Sequence, residues 1–86
     1  MPLKVSLVSA ESEIWSGEAS LVVAKTVLGE IGFMPGHEPV LAVLAEGQVR
    51  ITQADGSKII ANAQDGFLSM ESDVLTIVAG NAALIA

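Results

Sequence analysis

The chain has 86 residues, 51% of them hydrophobic, with ten acidic and four basic side chains, one histidine and no cysteine, which describes one small domain of net charge −6. Lys4, Lys25, Arg50 and Lys58 are too few to neutralise a run of phosphates, so nucleic acid is excluded as a partner on counterion release. A lone His37 without any thiolate excludes the two-histidine and cysteine zinc motifs and any disulfide framework.

In chain order, Leu3, Val5 and Leu7 alternate with Lys4 and Ser6, the period of a strand with one core face and one wet face. Further strands are predicted over 13–15, 19–24, 30–33 and 40–44. Val49 and Ile51 then alternate with Gln48, Arg50 and Thr52, and more strands follow over 57–63, 67–70 and 74–78. Turn chemistry divides them. Asp55-Gly56 predicts a two-residue hairpin loop that sets Ile51 opposite Ile60, and Asp65-Gly66 and Ser72-Asp73 predict similar breaks. Pro35-Gly36 and Pro39 stiffen a loop around His37 and Glu38. Many short strands with short loops predict an all-β sandwich or closed barrel.

Residues 21–24 and, more strongly, 40–45 abandon alternation. An antiparallel strand with one wet face should alternate, so a strand apolar on both faces points either to a cover on its second face or to a sandwich corner. The longest apolar run, 40–45, is far short of the roughly 20 residues that span a bilayer. Residues 1–15 carry Lys4, Glu11 and Glu13 and no signal-peptide core. A cytosolic chain, or one held at a membrane through another protein, is therefore expected.

Chemistry-bearing motifs are sparse. His37 has no G-x-S-x-G partner, and Gly29, Gly32 and Gly36 fit neither phosphate-loop spacing, so they read as turn and bulge glycines. No EF-hand pattern occurs among the carboxylates. Glu30 reads by default as a solvated strand-end charge, and Trp15 as a core or interface anchor. A small acidic all-β domain could also be a lipoyl or biotinyl carrier with Lys25 modified. That lysine, however, lies beside an apolar run without the Gly, Asp or Asn of a hairpin tip, so an edge lysine that discourages aggregation is the plainer reading.

The segment from Gly29 through Glu30, Ile31, Gly32, Phe33, Met34, Pro35, Gly36, His37, Glu38, Pro39 and Val40 to Leu41 resembles, without a gap, the G-E-[LI]-G-[IF]-x-P-G-H-x-P-[LV]-[LV] signature of the epsilon subunit of bacterial F-type ATP synthases. Val8-Ser9-Ala10-Glu11 followed by Ile14-Trp15-Ser16-Gly17, then Gly47-Gln48-Val49-Arg50-Ile51, and Gly66-Phe67-Leu68 leading to 74–79 agree in order, so the resemblance spans the chain.

The resemblance implies a flattened ten-stranded antiparallel β-sandwich over residues 1–86. It also implies a non-catalytic rotor subunit of the central stalk, with no cofactor, metal, small-molecule substrate or lipid insertion. Its partners would be the gamma subunit and the c-subunit ring, at the cytoplasmic face of the bacterial plasma membrane, where it would couple proton translocation to ATP synthesis. Glu30, with Ile31 beside it, matches the position facing the c-ring. Ser9 and His37 match gamma-facing positions, Ala42 occupies another without a hydroxyl to offer, and Val43 adjoins it. The family's C-terminal two-helix hairpin is expected to be absent, because 80–86 is too short to supply it.

Overall fold

The computed structural model describes residues 2–85. Six strands follow one another, β1 (Leu3–Ser9), β2 (Glu13–Thr26), β3 (Gly29–Phe33), β4 (Val40–Gln53), β5 (Lys58–Glu71) and β6 (Val74–Leu84), with no helix among the described residues. They form a sheet in the order β1-β6-β5-β4-β2-β3, closed into a barrel-like sandwich by pairing of β1 with β2.

Two features correct the expected ten-stranded antiparallel sandwich. The strands number six, and β1 pairs with β6 in parallel, Val5 beside Leu75 and Leu7 beside Ile77. The first difference has a physical cause: segments that read as separate strands run together. Segments 40–44 and 49–51 join in β4, and 57–63 and 67–70 in β5, each through a corner at which the inward phase slips by one residue; 13–15 and 19–24 join in β2, where the slip falls just after Ala19. In β5, Ala61 and Ala63 are buried before the corner and Leu68 and Met70 after it. In β4, Leu44 gives way to Val49 and Ile51. The slip keeps one apolar row on the core while the strand passes from one wall of the sandwich to the other.

The first wall comprises β1, the first half of β2 and residues 40–43, 67–71 and 74–79; the second comprises β3 and the remaining halves of β2, β4, β5 and β6. Between them lies one core built on Phe33, Leu3, Leu7, Ile51, Leu68 and Ile77, all fully buried.

Local chemistry explains the corners and turns. Asp65, expected to break the chain, holds φ of 60° inside β5 and shifts its phase without reversing it. The next residue must be glycine, because a Cβ on Gly66 would stand 1.8 Å from the Val78 carbonyl oxygen. Ser72 and Asp73, both at positive φ, form the two-residue turn joining β5 to β6, with Glu71 opposite Val74, the conformation that matches strand twist. The Asp55-Gly56 hairpin differs from expectation by one residue, with Ile51 facing Ile59 instead of Ile60. Gln53 and Ser57 still bond as a pair, the Gly56 amide donates to the Gln53 carbonyl, and only Gly56 takes positive φ, so three residues form the loop. β6 runs to Leu84, and Ala86, the last residue of the 80–86 segment, lies outside the described residues.

Candidate functional site

The outward side chains of the two walls differ in chemistry. On the first wall, strand register aligns Val43, Phe67, Val78 and Val8 in one cross-strand row, Val43 opposite Phe67, Phe67 opposite Val78 and Val78 beside Val8. Val43 is 56% and Phe67 46% exposed. The adjacent row, one strand period away, carries Leu41, Ser69, Thr76 and Ser6, of which Leu41 is 77% exposed. The Val27 amide donates to the Val43 carbonyl at 3.0 Å, joining the tip of the β2–β3 hairpin to this stripe. That tip exposes Val27 and Leu28, while buried Thr26 anchors it by donating to the Gly29 carbonyl at 2.8 Å and accepting from the Leu28 amide. An apolar strip beside hydroxyls has the make-up of a protein interface, an apolar centre with a polar margin.

The second wall exposes charge and amide groups, Lys25, Arg50, Gln48, Lys58 and Asn62, with the half-buried Leu21, Val23 and Ile60 between them. Arg50 Nη2 donates to Glu30 Oε2 at 3.1 Å across the intervening β2, an ion pair about half exposed on both sides. Such a pair is worth about 0–1 kcal/mol, so it orients Glu30 more than it stabilises the fold. A shallow groove of about 390 Å³ lies at the corner, lined by Glu46, Gly47, Asn62, Gln64 and Asn81 among others. These groups include one carboxylate and no imidazole, so no acid–base pair converges there. Among the described residues no cluster of His, Cys, Asp or Glu is arranged to hold a metal ion.

The residues expected to carry contacts divide in the same way. His37 sits in the loop entering β4, half-buried, its ring 5.0 Å from the Phe33 ring. Its Nδ1 donates to the Glu38 carbonyl at 2.8 Å, which uses that nitrogen locally and leaves no triad. Ser9 closes β1 at the opposite end of the first wall; its hydroxyl accepts from the amides of Glu11 and Ser12 and donates to the Ser12 carbonyl, tying its own turn. Val43 faces outward between them. Ala42 does not share its face: strand alternation packs Ala42 toward the core, and Leu41 is the outward neighbour. Ile31 likewise packs on the core, leaving Glu30 as the exposed residue of that pair on β3.

Lys25 lies within β2 opposite Glu30, its stem over Gly47, where a Cβ would meet its Cδ at 2.9 Å. It is not at a hairpin tip, and the carrier reading loses its geometric basis. Trp15 is half-buried against the core, with its ring over Gly17. Sequence reasoning missed Phe67, Val78, Val8 and the Val27-Leu28 tip as surface groups. Each lies in an ordinary apolar segment, and only strand register shows which of its residues point out.

In class, this is a small closed β-sandwich whose distinctive surface is an apolar stripe and not a cleft. Residues 2–85 match the family described as ATP synthase, Delta/Epsilon chain, beta-sandwich domain. The chain is similar to the ATP synthase epsilon chain of Rhodococcus opacus, 53% identical over 83 residues, covering 95% of this chain and 68% of the relative. It is also similar to that of Micrococcus luteus, 50% identical over 82 residues, covering 95% and 90%, and to that of Streptomyces coelicolor, 49% identical over 77 residues, covering 90% and 62%. The chain thus spans about three-fifths of the Streptomyces relative's length. Its fold is shared with a chain of the Euglena gracilis mitochondrial ATP synthase OSCP/F1/c-ring structure, at a TM-score of 0.90 and 22% identity, covering 96% of this chain and 53% of that one. The chain belongs to the ATP synthase delta/epsilon β-sandwich family.

Proposed function

We propose that this chain is a non-catalytic rotor subunit of a proton-translocating ATP synthase, docking on the gamma subunit through its first wall and on the c-subunit ring through the β3 end that carries Glu30. Coupling of proton flow to ATP synthesis then requires that the sandwich transmit force between the two partners. It does so as a rigid body: its walls share one core and close through the β1–β2 pairing. In that assembly the chain would lie peripherally, at the cytoplasmic face of the bacterial plasma membrane.

The observation that carries the reading is the apolar row Val43, Phe67, Val78 and Val8, which an isolated small domain has no structural reason to leave uncovered. Charge sets orientation at the other contact. Glu30, held by Arg50, presents a carboxylate suited to a basic group on a polar ring loop. The test is co-elution of the chain with a gamma subunit on a sizing column at micromolar concentration. A stable complex supports the reading, and separate elution contradicts it.

A further inference from the structure

The loop 34–39 carries His37 and leads directly into the exposed strand segment of Leu41 and Val43, yet it has little to hold it. Inside the loop, the His37 amide donates to the Met34 carbonyl at 3.1 Å, closing a turn with Gly36 at φ 89°. Outside it, among the described residues, one hydrogen bond ties the loop to another element: the Gly36 amide donates to Asp73 Oδ1 at 2.7 Å. Asp73 is itself fixed. It occupies the second central position of the β5–β6 turn at φ 62°, and its carbonyl accepts from the Lys4 amide at 2.8 Å, so β1, β6 and the loop meet at this residue.

We propose that Asp73 is a positioning residue for docking: its carboxylate sets where the His37 loop stands relative to the apolar stripe of the first wall. The bond is short and charge-assisted, and it spans 37 residues of sequence. Without it the loop would be held only by the Phe33–His37 ring contact and its strand ends. Asp73 touches no partner in this scheme and acts through Gly36. The inference rests on the docking reading for its consequence, and on the free chain for its geometry.

Two variants separate the acceptor from the turn. Asp73→Asn keeps an acceptor oxygen and tolerates positive φ; Asp73→Gly keeps the turn, for which glycine is well suited, and deletes the acceptor. In the free 86-residue chain, Asp73→Gly is expected to speed Gly36 amide exchange and shift the His37 ring resonances, and with gamma subunit added to weaken binding by about tenfold, the low end of what one hydrogen bond to a charged group is worth. Asp73→Asn, which keeps an acceptor oxygen but loses its charge, is expected to fall between the parent and Asp73→Gly in both readouts. Unchanged Gly36 exchange and His37 signals in Asp73→Gly overturn the proposal. So does faster exchange with unchanged affinity, which would leave the loop outside the interface, and so does an Asn variant as impaired as the Gly variant. Failure of the parent chain itself to bind gamma defeats the docking reading instead, and the exchange data still report on the loop.

Discussion

The two walls share β2, β4, β5 and β6 and one core, and they differ in what they turn outward. On the first, strand register lines up Val8, Val78, Phe67 and Val43. On the second, Lys25, Arg50, Gln48 and Asn62 are the exposed outer residues, with Leu21, Val23 and Ile60 half-buried among them. Burial alone does not require this asymmetry, since the core would be satisfied with polar residues outside both walls. What the difference teaches is that in a sandwich this small, function is written on an outer face, and the strand corners decide which residues reach it.

The largest effect is expected where the walls are kept apart. Gly66→Ala forces a Cβ into the Val78 carbonyl at the β5 corner, and a loss of about 3 kcal/mol or more is expected, or failure to fold, read by urea unfolding with Trp15 fluorescence. Parent-like stability would mean the corner is looser than its geometry implies. Next, Val43→Glu or Phe67→Glu on the first wall should weaken gamma binding by about 2 kcal/mol or more while leaving folding stability within about 1 kcal/mol. The matched second-wall change, Asn62→Glu, should alter binding by less than about 0.5 kcal/mol. Equal effects from the two walls would erase the comparison.

Glu30→Ala breaks the exposed Arg50 pair, and a stability change of under about 0.5 kcal/mol is expected by thermal melting, with gamma affinity unaltered. The smallest effect lies at the β4–β5 tip. There the Ser57 hydroxyl, at 2.6 Å, and the Ser57 amide, at 2.9 Å, donate to Asp55 and hold its carboxyl below its ordinary value of 3.8. A depressed carboxyl pKa gives a stabilisation present above that ordinary value and lost as pH falls through the lowered one. Asp55→Asn should therefore lose a slight stability advantage near neutrality and match the parent in acid, as measured by unfolding across pH 2–7.

The all-β class and most strand positions were legible because period-two alternation and turn residues are local signals. Leu3, Val5 and Leu7 face the core as their spacing implies, and the Ser72-Asp73 turn falls where its residue types put it. Strand count was not legible, because Asp65-Gly66 has the chemistry of a reversal, and only tertiary closure decides that positive φ there shifts phase inside β5. The apolar 40–45 run reads as a strand with a cover or as a corner; the corner is present, with the phase slip at 44–49, and Leu41 and Val43 face out, while a cover on them belongs to the proposed docking. Ala42 and Ile31 were matched to partner-facing positions by resemblance, and alternation packs both inward. Phe67 and Val78 escaped notice because their outward direction depends on register across three strands, a long-range property that no single segment carries.

Amide hydrogen exchange of the chain, free and mixed with a gamma subunit, tests the central claim most directly. Slower exchange on binding is predicted over 40–43, 67–69 and 76–78, with the second-wall residues 48–52 and 58–62 unchanged. Protection confined to the second wall, or none at concentrations where the two proteins co-elute, would contradict it.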